Sequence, residues 1–488
     1  MRKPNILWIC TDQQRWDTLS CLGFAGARTP NIDALAKKGV AFKNAYTQSP
    51  ICTPSRSSFL TGMYPIAHQV QRNGNDHFPP HLKLVPTIFQ DAGYRTGLIG
   101  KLHLSAAQNR IETRPNDGYD EFYWSQHPNP DWPEGHDYHN WMVEKGVDPL
   151  KAYAHAQGAI YDGVDTSLHQ TTWAKERAQD FMTRSKDEPW MLSINLFDPH
   201  PPFDPPKEYM DRVDPDSIPD PIFAHSDIEH QKRFTGVDQQ AKVAVDPTIP
   251  YDPAAPTKSA GQSHDTPPAS YDAKRIRAAY FAMIELIDDM VGELMATLDD
   301  TGQRQDTLVI FMSDHGEMLG DHGLLYKGCR FYEGLVHVPL IISYPGRSLE
   351  DVKSDALVEL VDLPSTLLEA AELPVPFQNQ GRSLLPLLTG KANLNNHKPY
   401  VLSEFFDALG FPGGRGSRGS MYFDGRYKLN VYHDANEGEL FDLERDPQEF
   451  DDHWNDPAYQ AIKLDLMQKH FSAMMVVSGA GPQRIADF

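Results

Sequence analysis

Sorted by chemical type, a few residues scattered along this 488-residue chain make two sets. Asp12 and Asp314 are hard oxygen donors, Gln13 adds a carbonyl oxygen, and His315 adds a ring nitrogen or an oriented hydrogen bond. Together they suit one divalent cation of the Ca2+, Mg2+ or Mn2+ kind better than structural zinc. Arg56, Lys101, His103, His200 and Lys327 all donate hydrogen bonds or carry positive charge, which is what a tetrahedral anion requires. A metal beside such a cluster implies cleavage of an ester of that anion. Cys52 stands apart. In "CTPSR" a thiol precedes a proline by two residues and an arginine by four, where a helix begins. A thiol used only for packing has no need of those neighbours.

These groups act together only if the fold gathers them. "NILWICT" (5–11) stops at Asp12, and "TGLIG" (96–100) stops at Lys101 and His103. "EPWMLSINLFD" (188–198) precedes His200, and "TLVIFMS" (307–313) precedes Asp314. Short, wholly apolar runs of this kind read as buried strands. In an open α/β sheet, ligands bind outside the carboxyl ends of parallel strands, so the four runs place their polar followers on one edge.

Helices fill the intervals. Segment 31–39 ends at Gly39, "SRSSFLTG" ends at Gly62, and "LVPTIFQDAG" ends at Gly93. From Tyr271 to Leu298, residues Ile276, Tyr280, Met283, Ile287, Met290, Leu294 and Leu298 form one apolar face. "VPLIISYP" (338–345) reads as another strand and "LVELVDLPSTLLEAAEL" (357–373) as a helix. The alternation predicts an α/β class, with a large, mostly parallel sheet sandwiched by helices. From about residue 396 the texture changes to "YVLSEF" and "MYFDGRYKLNVY", a strand and an Asp-Gly hairpin. We therefore expect a catalytic domain over 1–395 and a small C-terminal antiparallel subdomain over 396–488. Pro- and Asp-rich stretches at 126–150 and 199–270 read as long loops or insertions over the site. His127, Trp132, His136, His139 and Trp141 read as a packed loop or substrate wall, not a second metal site.

Bulk properties narrow the partners. A formal net charge of −22 repels nucleic acid and other polyanions, so an anionic substrate needs a locally basic pocket. The four cysteines show no zinc or redox spacing. No apolar run approaches the ~18–20 residues that span a bilayer, so no membrane partner is expected. "MRKPNILWICTD" lacks the apolar stretch of a signal peptide, which predicts a cytoplasmic protein, or a periplasmic one if a leader has been removed.

"CTPSR" (52–56) resembles the C-x-P-x-R signature of the formylglycine-dependent sulfatases, and "SRSSFLTG" continues it. "NILWICTDQQR" resembles their N-terminal metal motif and "GYRTGLIGKLH" their G-K-x-H element. "FMSDHGEMLGDHG" resembles their second metal motif, "LLYKG" carries their further lysine, and "ELFDLERDPQE" resembles their C-terminal hairpin. The resemblance runs in order from residue 5 to about 451 and implies an alkaline phosphatase-like fold. It also implies that a maturation enzyme, reading the proline and arginine, converts Cys52 to formylglycine (3-oxoalanine). One hydroxyl of the hydrated aldehyde attacks sulfur and displaces the alcohol. The second then loses its proton and expels sulfate by re-forming the aldehyde. A serine ester lacks that exit, which explains why Ser55 is not used.

The same resemblance assigns roles. Asp12, Gln13, Cys52, Asp314 and His315 hold one divalent metal, calcium with manganese as the alternative. Arg56 stabilises the diol, and Lys101 and Lys327 hold sulfate oxygens. His103 acts on the second hydroxyl, His200 protonates the leaving alcohol, and Asn73 makes a polar contact to the anion. Many family members carry Asp-Asp and Asp-Asn where this chain has Asp12-Gln13 and Asp314-His315. That pairing resembles the branch of choline sulfatases and phosphonate monoester hydrolases. Lys101 and His103 favour sulfate, a carbohydrate or small aryl ester, over a phosphonate or phosphodiester. A homo-oligomer is compatible with all of this.

Overall fold

The computed structural model describes residues 3–24, 26–107, 110–128, 135–155, 160–234, 237, 244–250, 271–407, 417–433, 435–479, 481 and 486. One sheet contains β1 (Asn5–Thr11), β2 (Val40–Tyr46), β3 (Arg95–Gly100), β4 (Glu121–Trp124), β5 (Trp190–Asn195), β6 (Thr307–Ser313), β7 (Leu340–Ser343) and β8 (Val352–Glu359). Its strand order is β4-β3-β5-β1-β6-β7-β2-β8. The four strands read from the sequence as site-bearing, β3, β5, β1 and β6, are consecutive and mutually parallel. β7 runs antiparallel to both β6 and β2. β2 therefore points the same way as β6 and delivers the chain toward Cys52 at the same edge.

Alternate side chains of these strands feed two cores, one per face. Ile6, Trp8, Leu308, Ile310 and Met312 pack with Phe59 and Leu60 of helix Cys52–Thr61 and with Leu363 and Leu367 of helix Leu363–Ala370. Leu7, Ile9, Val309 and Phe311 pack on the other face against helices Gln170–Arg184 and Ala273–Asp300. Each large apolar side chain so buried contributes about 1.5–3 kcal/mol, which makes the sheet a stiff platform for its loops.

A second sheet, in the order β12-β11-β10-β9, contains β9 (Val401–Phe406), β10 (Arg418–Phe423), β11 (Tyr427–Tyr432) and β12 (Glu437–Asp442), all antiparallel. Helix Gln460–Val477 covers it through Leu466, Ala473 and Val477. No helix among the described residues is long and apolar enough to cross a membrane.

Several expectations are corrected. Segment 357–373 is not one helix: β8 runs to Glu359, and the helix begins only at Leu363, with Pro364 in its first turn. There Asp362 accepts from the Glu359 backbone N–H at 3.0 Å, closing the turn between them. The stretch 126–150 holds a helix, Asp137–Glu144, whose Tyr138, Trp141 and Met142 join the core around Trp173. Stretch 199–270 contains helices Lys207–Met210 and His225–Lys232, while 251–270 lies outside the described residues. β2, β4 and β8 are strands that the sequence pattern does not predict. In β2, exposed Lys43 interrupts the apolar run.

Candidate active site

Every residue of helix Cys52–Thr61 is buried, and Cys52 opens it. Pro54 falls in the first turn, where a helix needs no amide donor. Gly62, at φ 74°, closes the helix by donating to the Ser58 carbonyl at 2.8 Å. Cys52 thus sits at the positive end of the helix dipole. Thr53 N–H donates to Asn73 Oδ1 at 3.0 Å, which places Asn73 beside the same terminus. Ser55 is a brace: its hydroxyl donates to the Asp314 backbone carbonyl at 2.6 Å.

Asp12, Cys52, Asp314 and His315 are fully buried, and each offers a ligand atom within 4.8 Å of the others. Cys52 Sγ, which marks where a nucleophile carried by this residue would stand, lies 3.1 Å from His315 Nε2 and 3.9 Å from Asp12 Oδ1. His315 Nδ1 lies 2.9 Å from the Gly316 carbonyl. A proton on Nδ1 satisfies that carbonyl and leaves the Nε2 lone pair facing the cluster. Gln13, at φ 69°, donates its backbone N–H to Asp314 Oδ1 at 3.0 Å. Its side-chain amide donates to Glu317, and its carbonyl oxygen accepts from Lys327.

Cations enclose the carboxylates. Arg56, fully buried, donates to Asp314 Oδ2 through Nε at 2.9 Å and reaches Asp12 at 3.4 Å through Nη2. Its Nη1 donates to the Lys101 carbonyl at 2.8 Å. Lys101 bonds Asp12 through Nζ. Gly100 lets the backbone turn here, because at φ 104° a Cβ would stand 2.0 Å from the Asn195 carbonyl oxygen. Lys327 Nζ donates to Gln13 Oε1 at 2.9 Å and to His200 Nε2 at 2.6 Å, and His200 Nδ1 lies 2.6 Å from the Pro201 carbonyl.

Burial would raise the Asp12 pKa, but Lys101, His200, Arg56 and Lys327 hold it well below the usual carboxylate range. Burial and the Asp12 charge push Asp314 up. Two buried carboxylates in conflict, the Nε2 of His315, whose pKa Asp314 and Cys52 raise against burial, and the residue-52 position make a donor set that fits a divalent cation replacing the Nε2 proton. Burial also pushes the Cys52 thiol up, yet Lys101 and Lys327 outweigh it and hold the thiol well below its ordinary value. The pocket is therefore selective for negative charge at position 52. His103, at φ 55°, is pushed down to about 4 by burial and Lys101, and its Nδ1 has no hydrogen-bond partner among the described residues.

The structure brings together all the residues expected at the site. It adds supports that sequence reasoning missed. Glu112, buried, accepts the backbone N–H groups of His103, Leu104 and Ser105 at 2.8, 2.5 and 3.1 Å. Tyr280 donates its hydroxyl to the Gln13 carbonyl at 2.7 Å. The Phe197 ring lies under Lys101 at 5.6 Å and beside His200 at 4.6 Å. His127 meets Phe197 edge-on, while His136 stacks on His139, so these belong to a packed wall. Trp132 lies outside the described residues.

Comparison with known proteins follows the same lines. The sulfatase family model matches residues 4–373, and the C-terminal model of N-sulphoglucosamine sulphohydrolase matches 320–475. The chain is 29% identical over 482 residues to an arylsulfatase of Clostridium perfringens, covering 96% of this chain and 93% of that one. It is 30% identical over 464 residues to a choline-sulfatase of Rhizobium meliloti, covering 92% and 81% respectively. The solved phosphonate monoester hydrolase SpPMH from Silicibacter pomeroyi superposes with a TM-score of 0.79 at 25% identity, covering 97% of this chain and 95% of that one.

Proposed function

The chain belongs to the sulfatase family and is a sulfuric ester hydrolase, and from that premise we propose how its residues cleave the ester. The nucleophile is the hydrated formylglycine made from Cys52, acting beside one divalent cation held by Asp12, Gln13, residue 52, Asp314 and His315. When bound there, that cation, calcium or manganese, would supply positive charge to offset the charge of the ester and of the nucleophile. The observation that carries this reading is the position of Cys52 at a helix N-terminus, 3.1 Å from His315 Nε2. There Lys101 and Lys327 already favour an anion.

Each remaining residue has a task its geometry supports. Arg56 cross-links the two carboxylates and keeps the donors converged. Lys101 and Lys327 take the sulfate oxygens, as charge-assisted donors in a dry pocket. His103 is neutral near pH 7, because its pKa lies at about 4, and it can accept the proton released when sulfate leaves. His200 Nδ1 faces the Pro201 carbonyl, so the proton for the leaving alcohol is the one that His200 Nε2 shares with Lys327 Nζ at 2.6 Å. Asn73 holds the loop beside residue 52. The formylglycine-generating enzyme is the implied partner in maturation, and the substrate is a small or carbohydrate sulfate ester.

A second reading, phosphonate monoester hydrolysis, draws on the likeness to SpPMH along almost the whole chain. Matured protein assayed on an aryl sulfate and on the matching aryl phosphonate separates the two. We expect the higher kcat/KM on the sulfate, and a phosphonate preference of several orders of magnitude would overturn the assignment.

A further inference from the structure

A second buried donor cluster takes no part in the chemistry above. His169, Asp198 and Asp204 are 3%, 2% and 1% exposed, and each offers a ligand atom within 4.8 Å of the others. His169 caps helix Gln170–Arg184, with Nδ1 accepting from the Thr171 N–H at 3.2 Å. The same Nδ1 lies 3.6 Å from Asp198 Oδ2, to which the Thr171 hydroxyl also donates.

Asp204 is the anomaly. Among the described residues, neither of its buried carboxylate oxygens makes a hydrogen bond of good geometry. Burial and the neighbouring Asp198 push its pKa well above the usual range, and hydrogen bonding from the Tyr161 hydroxyl and from its own backbone N–H only partly offsets this. His169 does not supply the missing charge, because burial holds its pKa below the ordinary value. Among the described residues, no lysine or arginine pairs with either carboxylate, the ion-pair partner of Asp198 being His169. Two buried carboxylates beside a neutral imidazole call either for a shared proton or for a cation.

We propose that His169, Asp198 and Asp204 bind a divalent transition cation of the Zn2+ or Mn2+ kind, at a structural site separate from the Asp12–Asp314 centre. One imidazole nitrogen, released from its present backbone hydrogen bond, with two carboxylates suits these ions, whereas calcium prefers six to eight oxygens. Binding displaces any proton held on Asp204. The ion ties the start of helix Gln170–Arg184 to the segment that carries His200. The Asp198 carbonyl in that segment accepts from the Asp12 N–H at 3.1 Å, so the site also positions the metal-binding end of β1.

The test uses the full-length protein, stripped with chelator, reloaded with Mn2+, desalted and crystallised for anomalous diffraction, with metal content measured on the same sample. We expect two equivalents per chain, and one anomalous peak bonded to His169, Asp198 and Asp204 beside another at Asp12 and Asp314. Asp204→Asn should lose the first peak and keep the second. A single equivalent at Asp12 and Asp314, with an Asp204 oxygen hydrogen-bonded to Asp198, would establish the shared proton and overturn the proposal. If Asp204→Asn does not fold, the wild-type arms decide alone. A missing peak at Asp12 and Asp314 would instead count against the proposed catalytic centre.

Discussion

Replacing Lys327 by alanine tests the anion pocket at the cation that joins Gln13 to His200. The ammonium has three protons. One goes to Gln13 Oε1 at 2.9 Å and one to His200 Nε2 at 2.6 Å, while the third bears on Cys52. Burial would lower the Lys327 pKa, but Cys52 and Asp12 raise it, so the group is charged at neutral pH. Losing one preorganised donor in a dry site costs about 2.7–4 kcal/mol in the transition state, or about 10²–10³ in rate. Steady-state kinetics on matured Lys327→Ala should show that loss in kcat/KM, with KM raised, while Tm stays near wild type. Because in the proposed mechanism Lys327 shares the leaving proton with His200, the loss should be smaller for 4-nitrophenyl sulfate than for an alkyl sulfate, whose alkoxide needs protonation. An unchanged KM, with the same loss on both esters, would refute both roles.

Cys52→Ala should abolish turnover and cost about 1 kcal/mol or less in stability, since the role proposed for the residue is chemical; wild-type rates in that variant would contradict it. Glu112→Gln removes a charge that three backbone N–H groups share, so we expect about 1–3 kcal/mol of lost stability and a lower kcat at constant KM. Unchanged melting and kcat would show that the loop carrying His103 needs no such brace. His68 is buried with its pKa pushed down to about 3, so its neutral form is the folded one. Its contribution is complete above the unfolded pKa of about 6.5 and is lost as pH falls from there toward about 3, at up to about 1.4 kcal/mol per pH unit. His68→Gln should flatten the fall of Tm between pH 6.5 and 4, and parallel Tm curves for the two proteins would contradict this.

The sequence was most legible where physics leaves few options. β1, β5 and β6 are buried on both faces, so their uninterrupted apolar runs stand out, and the polar residues that follow them must lie at the sheet's edge. β2 and β8 were hidden because exposed positions such as Lys43 and Lys353 break their pattern. Helix Asp137–Glu144 is too short for its period to rise above its loop-like surroundings. At the site, residue type and strand-end position pointed to groups that line the proposed pocket. The braces did not stand out. Glu112 and Tyr280 act through backbone contacts that no spacing announces. Glu317, which holds the Gln13 amide, was within reach, since it follows Asp314 and His315 in the same short segment.

Peptide mass spectrometry of residue 52, read against turnover, bears most directly on the claim that an aldehyde hydrate at this position breaks the ester. Protein matured to different extents should contain different fractions of formylglycine at Cys52, and kcat on an aryl sulfate should rise in proportion to that fraction from near zero. Full activity in protein whose residue 52 is entirely thiol would contradict the account.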